Sequence, residues 1–182
     1  MYFNFSDDCA PSLLFPASGQ RHAARGFSLL EVMVVVSILG ILAAIAAPSF
    51  TPMIERWRVR DAAESLTSTL YYARSEAIKR GSSGVSVSAK DGADWSSGWQ
   101  VLNGTDVLQN TDAPTRTTIS ITDGDASIAF DRWGQMTSDG KRSFDFRLMP
   151  YGKNNTDAGA TALCISPGGR IKRTKTGDAA CS

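Results

Sequence analysis

The apolar residues of the chain fall into three successive patterns. From Val32 to Ala47 the sequence reads VMVVVSILGILAAIAA, sixteen residues without a charge, and Phe27 to Leu30 extend the run to 21 with one interruption at Glu31. As a helix this run spans roughly 30 Å, the thickness of a bilayer hydrocarbon core. Further on, Val59, Ala62, Ala63, Leu66, Leu70, Ala73 and Ala77 recur at steps of three and four, while Arg58, Asp61, Glu64, Arg74 and Glu76 fall elsewhere. That spacing predicts an amphipathic helix from about Ile54 to Lys79, stopped by Gly81. Pro48 and Pro52 lie between the two segments, where they bend rather than end a helix whose apolar stripe resumes. Phe27 to Arg80 then read as one helix of about 80 Å.

After Gly81 the period becomes two. Short alternating runs predict strands at Val85 to Ala89, Trp99 to Leu102, Arg116 to Thr122, Ser127 to Phe130, Ser143 to Arg147 and Ala162 to Ser166. The polar segments Asp91 to Gly98, Asn103 to Thr115 and Pro150 to Ala160 read as loops. The expected class is α+β: a long N-terminal helix against an antiparallel sheet, whose far side forms a second sheet or faces solvent.

Composition narrows the chemistry. The 182 residues allow one domain and an appended element. With 19 basic and 18 acidic residues the net charge is +1, so binding to nucleic acid through bulk charge is excluded and any such site is local. His22 is the single histidine, Cys9, Cys164 and Cys181 are the three cysteines, and the acids are scattered. These counts remove most metal sites and Ser/His or Cys/His nucleophile systems, and no cofactor is expected. Asp91, Asp94, Asp123, Asp125 and Asp157 lack the further ligands of a calcium loop, and Gly168-Gly169 opens no helix, so it is not a nucleotide-binding loop. Trp57, Trp95, Trp99 and Trp133 are expected in the core or in helix packing.

Arg21 and Arg25 precede the apolar run with no acid nearer than Asp8, which places the N-terminus in the cytoplasm and the rest outside it. A secretory signal peptide cut at Ala44-Ile45-Ala46 and a plain one-span anchor fit the same hydropathy. Glu31 argues against both, because an ionisable group in a spanning helix needs a partner. Cleavage between Gly26 and Phe27 would supply an α-amino group one turn away, though a neighbouring subunit could do so too.

Arg25-Gly26-Phe27-Ser28-Leu29-Leu30-Glu31-Val32 resembles the type III leader junction of type IV pilins and type II secretion pseudopilins. The resemblance implies cleavage after Gly26 by a prepilin peptidase, N-methylation of Phe27, and a filament in which Glu31 compensates an N-terminal charge. It divides the chain into a leader (1–26), a transmembrane half-helix (27–53), an amphipathic half-helix (54–80) and an outer β-rich domain (81–182).

Four further segments are similar to the FimT/GspH group of minor pilins and pseudopilins. They are Ala73-Arg74-Ser75-Glu76-Ala77-Ile78-Lys79-Arg80, Asp94-Trp95-Ser96-Ser97-Gly98-Trp99, Phe130-Asp131-Arg132-Trp133-Gly134 and Cys164-Ile165-Ser166-Pro167-Gly168-Gly169-Arg170. The group implies a type IV pilin-like fold and a structural subunit of the inner membrane and its filament, not an enzyme. Other pilin or pseudopilin subunits are the implied partners. With the leader gone, Cys164 and Cys181 are the only thiols of an extracytoplasmic domain, and a disulfide between them is the economical reading.

Charge is uneven along the mature chain: residues 81–162 carry −3 and 163–182 carry +3. The tail cations are Arg170, Lys172, Arg173 and Lys175, with Arg170 and Lys172 on one face of an extended strand and Arg173 and Lys175 on the other. FimT-like minor pilins bind DNA through a Gly-Arg-x-Arg motif, which Gly169-Arg170-Ile171-Lys172-Arg173 partly matches, with Lys172 in place of the second arginine. Four cations on duplex DNA imply a log–log salt slope of about −3.6. No aromatic lies among them, so stacking on single strands is not expected. A solvated basic hairpin or a contact with another subunit fits the same residues. The pattern is thus that of a minor pilin of a type IV pilus that binds double-stranded DNA, or of the matching type II secretion pseudopilin.

Overall fold

The computed structural model describes residues 26–82, 84–122, 126–137 and 143–175. Cys9, His22, Arg21, Arg25, Asp123, Asp125 and Cys181 lie outside the described residues. The chain divides between Leu42 and Ala43 into two compact units.

In the first unit, α1 (Leu29–Arg80) begins. The Glu31 backbone N–H donates to Ser28 Oγ at 3.1 Å and the Val32 N–H to the Ser28 carbonyl at 3.2 Å, so Ser28 caps the helix. Glu31 stands three residues after the cap, at the glutamate position of a capping box. Leu29–Ala46 is long and apolar enough to cross a membrane, and none of it is buried.

In the second unit α1 continues through positions 48 and 52 to Arg80, as the resumed stripe predicts. Val59, Ala62, Ala63, Leu66, Leu70, Ala73 and Ala77 are all buried. Nine strands follow among the described residues: β1 (Val85–Asp91), β2 (Asp94–Asn103), β3 (Asp106–Asp112), β4 (Thr117–Ile121), β5 (Ser127–Phe130), β6 (Met136–Thr137), β7 (Phe144–Pro150), β8 (Thr161–Ile165) and β9 (Ile171–Lys175). They form two antiparallel sheets, β3-β2-β1-β5-β6 and β4-β7-β8-β9. Both sheets and the helix stripe contribute to one core cluster.

The segment from Asp94 to Trp99 joins these layers, and four of its side chains or Cβ positions have distinct jobs. Trp95 meets Phe146 of the other sheet edge to face, with ring centroids 4.8 Å apart. Ser96 Oγ accepts from the Ile119 N–H at 2.9 Å, tying β2 to β4 across the sheets. Trp99 Nε1 donates to Thr69 Oγ1 on α1 at 3.1 Å, which satisfies a buried indole. At Gly98, where φ is +99°, a Cβ would stand 2.5 Å from the Thr111 carbonyl oxygen of β3. Strand β2 therefore begins at Asp94, five residues before the predicted start, because this polar-looking stretch is a junction rather than a loop. Strand β3 also falls in a stretch whose polarity predicts a loop; among the described residues it pairs with β2 alone and hides neither face, so no alternation marks it.

Two tryptophans depart from expectation. Trp95 and Trp99 are buried, but Trp57 is 61% exposed and Trp133 73% exposed.

Gly98→Ala is expected to lower unfolding free energy by at least about 3 kcal/mol, from left-handed strain plus collision with β3. Gly104→Ala, at φ +61° with open space around the Cβ, should cost only about 1 kcal/mol. Denaturant titration of the two variants checks the contrast.

Candidate functional site

The β8–β9 connection, Ser166 to Arg170, is a tight hairpin turn. The Gly169 N–H donates to the Ser166 carbonyl at 2.8 Å and the Ser166 N–H to the Arg170 carbonyl at 3.0 Å. Gly169 takes φ +75°, a conformation glycine adopts without strain. A second turn, Asp131 to Gln135, is closed by its own first residue. Asp131 Oδ1 accepts from the Trp133 and Gln135 N–H groups at 2.9 and 2.8 Å. The Asp131 N–H in turn donates to the Gln135 carbonyl at 2.8 Å.

The two turns lie shoulder to shoulder. The Met136 N–H donates to the Pro167 carbonyl at 2.9 Å. A Cβ on Gly169 would come 3.1 Å from the Gly134 carbonyl oxygen and 3.0 Å from Arg74 Nη1. A Cβ on Gly134, itself at φ +73°, would come 2.8 Å from Arg74 Nε and 2.7 Å from Ile78 Cδ1. Arg74 thus runs from α1 past both glycines, and its Nη1 donates to the Gly169 carbonyl at 3.4 Å. Three of the segments singled out in the sequence, around Arg74, Gly134 and Gly169, meet at this one side chain.

The tail cations are divided by strand pleat, as expected. Arg170 and Lys172 are exposed. Lys172 pairs in register with Cys164, on the face away from Leu163 and Ile165. Arg173 pairs in register with Leu163 and points to the helix side, where its Nη1 lies 3.4 Å from Glu64 Oε1. There Arg173 lines an open cleft of about 660 Å³ with Arg56 and Arg60. Lys175 ends β9 opposite Thr161. Cys164 is disulfide-bonded. Among the described residues no group of three or more His, Cys, Asp or Glu side chains could hold a metal ion.

Sequence reasoning missed that the turn carrying Arg132 and Trp133 lies against the turn that ends at Arg170. They precede it by almost forty positions, and only the contact of the two turns brings them together. A positive-φ glycine in each turn is the signal that the chain makes close approaches there.

Near the end of α1, Glu76 is only 8% exposed and accepts from Arg80 Nε at 2.8 Å and Lys79 Nζ at 3.3 Å. The Arg80 hydrogen bond holds its carboxyl below the usual range, with burial opposing and Lys79 reinforcing. At the opposite end of the 54–80 segment, Lys153 reaches Glu55 at 2.6 Å and Asp157 at 3.6 Å, and the Glu55 contact raises its ammonium pKa.

The comparisons with known proteins agree with this geometry. The family profile described as Type II transport protein GspH matches residues 62–169, more than half of the chain. The chain belongs to the GspH family. A prokaryotic N-terminal methylation motif matches residues 21–47. Type II secretion system protein H of Xanthomonas campestris pv. campestris is 34% identical over 61 residues, 34% of this chain and 36% of that protein. A fimbrial protein of Moraxella nonliquefaciens is 49% identical over 41 residues, 22% of this chain and 27% of its own length. A fimbrial protein of Pseudomonas aeruginosa is 44% identical over 59 residues, 32% and 38% respectively. The aligned segments therefore span well under half of these relatives. Crystal structures of the type IV minor pilin FimU of Pseudomonas aeruginosa superpose with TM-scores of 0.57 and 0.54 at 27% identity. They cover 71% and 68% of this chain and 98% of FimU. The fold is the type IV pilin-like fold expected from the sequence.

Two outcomes are expected. Because the folded state keeps Glu76 deprotonated to lower pH than the unfolded chain does, its contribution is full above the ordinary carboxylate value and fades as pH falls through the folded one. The loss of Tm between about pH 7 and pH 3.5 should be smaller for Glu76→Gln than for the parent. Gly169→Ala should lower stability by about 2 kcal/mol, from strain and displacement of Arg74, measured by denaturant midpoint.

Proposed function

We propose that this GspH-family chain is a minor subunit of a type IV pilus, and that its braced C-terminal turn binds double-stranded DNA. The observation that carries the reading is the hairpin of Ser166 to Arg170: it presents Arg170 and Lys172 to solvent on a backbone secured by Arg74. Phosphate oxygens accept from guanidinium and ammonium groups alike, so the pair gives affinity without sequence preference. Arg132, exposed on the adjoining turn, is the third cation of this reading, whereas Arg173 lies 3.4 Å from Glu64.

The same reading sets the chain's maturation. Prepilin peptidase cuts after Gly26, Phe27 is N-methylated, and Glu31 compensates the new α-amino charge within the filament. Leu29–Ala46 anchors the subunit in the inner membrane before assembly, with the N-terminus cytoplasmic and the β-rich domain periplasmic. A Cys164–Cys181 disulfide ties down the tail. As a filament component the chain acts through contacts with other pilin subunits rather than through catalysis.

A type II secretion pseudopilin is the second reading, favoured by the GspH profile and by the Xanthomonas secretion protein. A deletion strain separates the two machines: loss of twitching and transformation supports the pilus, and loss of exoprotein secretion supports the pseudopilus.

DNA binding is tested on the mature chain in detergent with a blunt duplex across a salt series. Three phosphate contacts predict a log–log slope of about −2.7, and changing Arg170 and Lys172 together to Gln should reduce its magnitude by about 1.8. A slope unchanged by the double variant, or no duplex binding at low salt, overturns the DNA assignment.

A further inference from the structure

Trp133 is the largest apolar side chain left open beside the cations, at 73% exposure. Its backbone has little freedom. Asp131 closes the turn on both sides of it, and Gly134 rests against Arg74 and Ile78. The indole is therefore exposed on a turn whose backbone is fixed. Arg132 precedes it and is exposed, and the neighbouring turn, joined to this one by the Met136–Pro167 bond, ends at exposed Arg170. Asp131 accepts two backbone N–H groups within the turn, and Glu76, toward the end of α1, holds Lys79 and Arg80.

A flat aromatic face beside guanidinium groups suits a ligand that carries a planar ring and a negative charge in one repeating unit. A nucleotide within a polynucleotide is such a ligand: the base stacks on the indole while the phosphates meet the cations. In a duplex the base faces are covered by their neighbours, so the indole gains nothing there and only the cations act. We infer that Trp133, flanked by Arg132 and Arg170, forms a stacking site for single-stranded DNA, including the unpaired end of a duplex. This rests on the DNA reading above and adds strand selectivity to it. The aromatic comes from a separate turn, since none lies among the tail cations 170–175 themselves.

The test uses the mature full-length chain in detergent with a fluorescein-labelled 20-nucleotide oligo(dT) and a blunt duplex of equal length. Oligo(dT) should bind more tightly than the duplex. Trp133→Ala should weaken oligo(dT) binding by about tenfold while leaving duplex binding within about twofold, and Trp133→Phe should restore most of the loss. Because the side chain is exposed, the Tm of both variants should match the parent. Arg170→Gln should weaken both probes. Equal effects of Trp133→Ala on both probes, or none on either, overturn the stacking site while leaving the DNA reading intact. Failure of both probes to bind the parent chain at low salt overturns the two together. If Trp133→Ala spares oligo(dT) binding but lowers co-assembly with other subunits, the indole is a subunit contact and the proposal falls.

Discussion

Close packing of two sheets on one helix depends on how little side chain the helix puts between them. Along the buried face of α1, Ala62, Ala63, Ala73 and Ala77 alternate with Val59, Leu66 and Leu70. Alanines and larger residues together form the helix face that joins both sheets in one core cluster. Trp99 reaches across this contact to bond Thr69, and Trp95 closes the gap between the sheets against Phe146. A bulky residue at Ala73 or Ala77 would therefore move more than its own neighbours, because Arg74 stands between these two positions and depends on the same spacing to reach both turns.

Arg74 links packing to surface chemistry. The half-buried Arg74 side chain lies against two turns that are also joined by the Met136–Pro167 bond. Glycine is needed at both 134 and 169 because a Cβ at either would crowd the arginine. The backbone of both turns, which carry exposed Arg132, Trp133 and Arg170, thus packs against a residue that is itself only half-buried.

Much of the fold could be read along the chain. The helix stripe from Val59 to Ala77 was legible residue by residue because a 3.6-residue period with a buried face leaves a strong mark. Strand β5 was legible to its ends and β1, β4, β7 and β8 to within a few residues, since each alternates or runs apolar into the core. Strand β3 was not, because an edge strand of polar residues owes its form to backbone pairing with β2. Likewise, Trp57 and Trp133 carry the same side chain as Trp95 and Trp99, and nothing local marks which pair is buried.

The candidate site shows the same limit in its chemistry. Charge counting along the sequence groups Arg170, Lys172, Arg173 and Lys175 because they are neighbours in the chain. Strand pleat separates them, sending Arg173 toward Glu64, Arg56 and Arg60 while Lys172 stays on the opposite face. Meanwhile the contact of two glycine turns adds Arg132 and Trp133 from a distant segment. A run of four cations alone would act as a diffuse electrostatic tail. The inferred site at Trp133 would instead combine charge with an aromatic face, and that combination is what a surface needs to distinguish an open base from a paired one.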